Sequence, residues 1–119
     1  MPEQDEHLQQ ATRNEQFLSS IDAEVFPEWR VVVMFYTSLH YVDAFLARRG
    51  IHPLTHGDRL VQVRSSLRIV IFDYRRLLGR SEDARYNAVV FTPAEAQQLY
   101  DDEFARVRSY LRARLNLSQ

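Results

Sequence analysis

The amino-acid sequence predicts an all-α fold: an antiparallel bundle of four long helices plus one short helix, in a single domain over residues 1–119. Three observations predict it. Apolar residues recur at three- and four-residue steps, while strand-like alternation is weak. The three glycines (Gly50, Gly57, Gly79) fall at the edges of those periodic stretches. A chain of 119 residues with 45% hydrophobic content suits one core.

The first helix spans about Glu3 to Ile21, with Leu8, Ala11, Leu18 and Ile21 on one face. Pro27 opens the second, because its missing N–H has no helical partner in a first turn. That helix is apolar nearly all round and should be the most buried. It runs to about Arg49 and stops at Gly50, a favourable C-terminal cap. Pro53 separates it from a third helix, expected from Gly57 or Asp58 to Gly79. Leu60, Val63, Leu67, Val70, Tyr74 and Leu77 form the third helix's core stripe. Ser81 is read as the cap of a short fourth helix. The clearest helix start is "TPAEAQQL": Thr92 as N-cap, Pro93 in the first turn and Glu95 as the capping-box acid. This last helix runs to about Leu115.

There are no cysteines, which excludes disulfides, thiolate nucleophiles and cysteine-based zinc sites. The segment "MPEQDEHLQQ" is acidic and polar, unlike a signal peptide. The apolar run Val31 to Ala47 is short for a membrane span and contains His40 and Asp43. A soluble, cytoplasmic protein without membrane association is expected. Net charge is -1 but unevenly placed. Residues 1–28 carry seven acids against Arg13, and residues 59–80 carry six arginines against Asp73.

Four groups of residues carry possible chemistry. Tyr36, His40 and Asp43 stack on one side of the second helix, where a His–Asp pair can orient an imidazole for proton transfer or satisfy itself inside the bundle. His52 and His56 are four apart, a spacing suited to metal on a helix, but Pro53 interrupts it. A helix entry at "THGD" is favoured instead, capped by Thr55 or Asp58, with no metal and no cofactor. Arg64, Arg68 and Arg75 share a face that can bind phosphates or pair with the acidic first helix. Arg85 and Tyr86 can reach back to the second helix and hold His40 or Asp43. The rings of Phe35, Tyr36, Tyr41 and Phe45 exceed what one small bundle is expected to bury, pointing to a homodimer.

Two stretches, "PEWRVVVMFYTSLHYVDAFLARRGIHPLTHGDR" and "YRRLLGRSEDARYNAVVFTPAEAQQL", together resemble the HEPN superfamily over roughly residues 27–99. The resemblance implies a dimerising helical bundle that takes part in RNA-directed systems or partners a nucleotidyltransferase-like protein. Active members are metal-independent ribonucleases that pair an arginine with a histidine, with four to six residues between them. Arg49 and His56 fit that count with six residues between them. Here, however, Gly50 follows the arginine and Pro53 lies in the interval, in an inter-helix loop. The expectation is therefore a non-catalytic HEPN-like module. It would have a polar pocket near His40, His56, Tyr74, Arg85 and Tyr86 for a nucleotide, a phosphate or RNA. The alternative is an endoribonuclease using Arg49 and His56, or His40 with Arg85.

Overall fold

The computed structural model describes residues 2–117. Every regular element in that range is helical: α1 (Gln4–Ser20), α2 (Pro27–Arg48), α3 (His56–Ser66), α4 (Ile71–Tyr86), α5 (Pro93–Leu99) and α6 (Ala105–Arg114). A single 3-10 turn, Arg68–Val70, joins α3 to α4, and a π-turn, Tyr100–Phe104, fuses α5 and α6 into one bent helix.

Helix α2 forms the centre. Of its 22 residues, 17 are buried, so the other helices must pack around it on several sides. Helix α1 runs antiparallel along it, with His7 beside His40 and Phe17 beside Trp29 in one groove. The α5–α6 helix runs parallel to it: Arg30 donates to Gln97 near one end, and Arg48 donates to the Arg114 carbonyl near the other. Helix α4 is antiparallel to α5–α6, with Asp73 bound by Arg106 and Arg76 paired with Glu103. The buried apolar residues of all these helices form one cluster. Among the described residues no helix is long and apolar enough to cross a membrane.

The end of α2 follows the sequence expectation. Gly50 takes φ +74°, its N–H bonds to the Ala47 carbonyl, and Ile51 N–H bonds to the Leu46 carbonyl. That is a Schellman cap, and its left-handed residue favours glycine. The final helix closes in the same way, with Asn116 at φ 60° and Leu117 N–H bonded to the Arg112 carbonyl. The Thr92–Glu95 capping box is present in both directions, at 3.1 and 2.9 Å. Thr55, not Asp58, caps α3, accepting from Asp58 N–H at 3.0 Å.

Two boundaries differ from expectation. The predicted third helix is two helices, broken at Leu67, whose φ/ψ of -133° and 44° leaves the helical region. The core stripe survives the break: Val63, Leu67, Val70, Tyr74 and Leu77 are all buried. The local cause is "SSLRIV", where serines and β-branched residues favour helix less than the flanking sequence does. Conversely, α4 passes straight through Gly79. Ser81 is no N-cap; it is buried in mid-helix, and its Oγ accepts from Arg85 Nε at 3.1 Å.

The dimer argument from crowded rings also changes. Phe35, Tyr41 and Phe45 are at most 1% exposed within one chain. The exposed rings lie elsewhere, at Phe17, Phe26, Trp29, Phe72 and Tyr86.

The two glycines should therefore respond oppositely to alanine. A Cβ on Gly79 meets nothing within 4 Å, and the residue is helical. Gly79→Ala is expected to raise stability by roughly 0.5–1 kcal/mol through helix propensity. Gly50→Ala is expected to lower it by about 1 kcal/mol, because a Cβ strains the left-handed cap. Urea denaturation of both variants checks the signs; a loss at Gly79 would show that α4 does not run through it.

Candidate functional site

Asp43 is the one acid among the buried residues of α2. Arg59, from the inward face of α3, closes on it with two hydrogen bonds, Nε to Oδ1 at 2.7 Å and Nη2 to Oδ2 at 3.0 Å. Both side chains are less than 10% exposed. This fork-to-carboxylate geometry neutralises a charge that burial would otherwise penalise heavily.

Arg59 also orders its neighbours. Its Nη1 lies 3.3 Å from His56 Nδ1. A guanidinium has no lone pair to offer, so that nitrogen of His56 must accept, and the ring carries its proton on Nε2. Burial first, then the charges of Arg59 and Arg85, holds the His56 pKa below 6.5. His56 packs its ring against Phe35, and Tyr74 packs against the same ring. Tyr74 is 1% exposed, and its hydroxyl has no hydrogen-bond partner among the described residues. Burial pushes its pKa far up, so the phenol stays protonated.

Arg85 forms the outer part of the cluster. Its Nη1 donates to Tyr36 Oη at 2.7 Å and to Tyr86 Oη at 3.1 Å. The guanidinium stands 5.2 Å from the Tyr36 ring centre and 4.7 Å from that of Tyr86. Tyr86 is 72% exposed, while Arg85 and Tyr36 are half-buried. No carboxylate pairs with Arg85 among the described residues. One turn along α2, His40 Nδ1 meets His7 Nδ1 at 3.1 Å. One nitrogen must carry a proton and the other must not. Burial chiefly lowers both pKa values; His7 lowers that of His40 further, and Asp43 partly opposes the shift in each.

His56 and Tyr74 meet at Phe35 of α2, Arg85 and Tyr86 meet at the neighbouring Tyr36, and His40 lies one turn further along α2 with His7; two partners differ from the sequence expectation. Arg85 reaches Tyr36, not His40 or Asp43, and Arg59 takes Asp43. The missed members, His7 and Arg59, both lie on inward faces: His7 one turn before Ala11, and Arg59 between His56 and Val63. Their spacing was the available signal.

Arg49 lies in a different neighbourhood. It is exposed and stacks 4.5 Å from the Phe45 ring centre, beside Arg48 and Arg114. His56 sits at Phe35, ten residues earlier on α2, or about 15 Å along the helix axis. Within one chain, the two residues touch different rings. His52 is half-buried in the loop, near enough to His7 to lower its pKa. Among the described residues no three histidine or acidic side chains gather as a metal set.

Comparison with known proteins finds no matching family model, no matching curated protein and no matching solved structure.

Two outcomes test this electrostatic arrangement. Asp43→Asn leaves Arg59 buried without a counter-charge and is expected to lose roughly 3–5 kcal/mol of stability. A loss below about 1 kcal/mol in urea denaturation would mean that Arg59 escapes to solvent.

His7, His40 and His56 predict a pH dependence. Their folded pKa values lie below 6.5, so the unfolded chain binds more protons as acidity increases. Their contribution is complete above 6.5 and is lost as the pH falls through the lower folded values. A His7→Gln/His40→Gln chain should lose less stability between about pH 7 and 5.5 than the original chain. Equal losses in the two proteins would exclude this pair as the sensor.

Proposed function

We propose that this chain is a non-catalytic, HEPN-like helical binding module that holds the phosphate of a nucleotide or of RNA at Arg85 and works with a second copy or a nucleotidyltransferase-like partner. The carrying observation is the guanidinium of Arg85, which has no carboxylate counter-charge among the described residues and sits between two tyrosines. A phosphate supplies the missing charge and accepts paired N–H bonds from a planar cation. The exposed ring of Tyr86 offers a stacking face for the attached base. His56 and His40 border the same region, and neutral imidazoles can donate a hydrogen bond to phosphate oxygens.

The non-catalytic reading rests on the state of the candidate groups. His56 has Nδ1 engaged by Arg59, and Arg59 is committed to Asp43. Arg49 stacks on Phe45, away from His56. One observation favours the endoribonuclease alternative: Arg85 lies close enough to His56 to depress its pKa. Freed from Arg59, Nδ1 of a neutral His56 would be able to take a proton from a 2′-hydroxyl while Arg85 stabilises the phosphorane.

Nucleotide titration by calorimetry tests the binding reading. Arg85→Gln is expected to weaken affinity at least ~10-fold, the loss of about 1.4 kcal/mol from a charge-assisted bond, while Arg49→Ala leaves it unchanged. An unaltered affinity in Arg85→Gln refutes the assigned site. Incubation with labelled RNA in a chelating buffer separates the two readings: intact RNA supports the binding module. Cleavage lost in both His56→Ala and Arg85→Ala establishes the enzyme.

A further inference from the structure

We propose that the two ends of the bundle are complementary docking surfaces, and that copies of this chain associate head to tail. This specifies the second copy in the functional reading above but makes no use of the Arg85 site.

One end is acidic and apolar. The link between α1 and α2 and the first turn of α2 expose Val25, Phe26 and Trp29 by 58, 48 and 53%, next to Phe17 at 54%. Phe17, Ile21, Phe26 and Trp29 line one shallow apolar groove there. Glu24 is exposed beside it, Glu28 is half-exposed, and neither has an ion-pair partner among the described residues. Asp22 is occupied locally, its Oδ1 accepting from Glu24 and Val25 N–H.

The other end is basic and apolar. Around the α3–α4 corner, Val61, Ile69 and Phe72 are 57, 76 and 79% exposed. Arg64, Arg68 and Arg75 stand exposed among them, without an ion-pair partner among the described residues. The sole acid between residues 59 and 80, Asp73, is taken by both guanidinium arms of Arg106. The acidic first helix does not neutralise this face: Glu15, its inward acid, binds Arg108 and Tyr41.

These ends are separated by the length of α2. Helix α3 starts beside Phe35 and passes Asp43, so its last turn lies toward Arg48. The acidic link precedes Pro27. Twenty-two helical residues span about 33 Å, so one chain cannot close the two surfaces on each other. The longest dimension of the molecule is 39 Å.

The chemistry favours a second copy over nucleic acid. Of the three apolar residues on this face only Phe72 gives a base a ring to stack on, while Val61 and Ile69 are aliphatic. Carboxylates set among apolar side chains match arginines set among apolar side chains, and the opposite end carries that set. An apolar centre with charges around it gives both attraction and register. Such a contact is heterologous: a joined pair still has one free end of each kind, so it builds open chains or a ring.

Sedimentation equilibrium of the full chain over a concentration series provides the test. The weight-average mass is expected to climb past that of a dimer, and to fall back in about 1 M salt, where the screening length is ~3 Å. Glu24→Arg/Glu28→Arg and Arg64→Glu/Arg68→Glu should each abolish the climb while circular dichroism stays unchanged. One chain carrying all four substitutions should recover it, since its ends are complementary again; a merely misfolded variant would not be rescued. A mass that stays at one copy, or plateaus at a closed dimer, overturns the proposal. So does failure of the fourfold variant to recover. RNA that co-purifies and is lost in Arg64→Glu/Arg68→Glu, with no concentration-dependent growth, assigns the basic end to nucleic acid instead. None of these results alters the Arg85 titration, so the two readings fail separately.

Discussion

Asp43 lies on a helix buried on most of its surface, and a carboxylate there needs a partner. Arg59 supplies it with two hydrogen bonds. To reach Asp43, α3 must begin near Phe35 and lie along α2 with His56 and Arg59 turned inward. That requirement sets the path of the whole 50–66 segment: a glycine cap to end α2, a loop through Pro53, and Thr55 to start α3. Replacing the pair with apolar side chains could match it in stability. Its evident consequence is register, because a two-point fork tolerates little sliding between the helices.

The same pair arranges the candidate site. With Arg59 committed to Asp43, His56 is left neutral and oriented, and Arg85 becomes the cation of the cluster without an acidic partner among the described residues. The interior thus separates structural from available charge. Glu15, Arg108, Tyr41 and Arg112 show the structural kind on the other side of α2, tying α1 to α6 through a closed chain of donors and acceptors. Arg85, by contrast, rests on phenol oxygens and aromatic faces, which solvate a cation without cancelling it.

The helical fold was legible because its signals are local. Thr92 with Glu95, Gly50 after Arg49, and Pro27 in a first turn each act within a few residues, and each appears where the sequence places it. The break at Leu67 was not legible: no glycine or proline marks it, and the core stripe continues across it in phase. Gly79 misled in the opposite direction, because packing holds α4 helical through a residue that locally favours a stop. In the site, the polar members of α2 and the Arg85–Tyr86 pair could be read from spacing. Their partners could not. Whether Arg59 or Arg85 takes Asp43 depends on how α3 and α4 cross α2, and that is a tertiary property.

Arginine content alone says little about function in this chain, since all 15 basic residues are arginine. Their surroundings say more. Arg59, Arg76, Arg106 and Arg108 each meet a carboxylate of another helix, and Arg80 meets Asp83 on its own helix and Glu95 on α5. Arg30, Arg48 and Arg112 are engaged by an amide, a backbone carbonyl and a phenol. Arg49 and Arg114 lie against Phe45. Apart from Arg13, exposed on α1, two further environments lack a carboxylate partner among the described residues: Arg85 between its tyrosines, and the exposed corner bearing Arg64, Arg68 and Arg75. The first is partly enclosed, sized by two rings, and suits a small anion. The second is broad and mixed with aliphatic side chains, and suits a surface. The division follows from enclosure, because a recessed cation selects for a ligand that can enter, whereas an exposed basic and apolar face gains most from a partner that covers it.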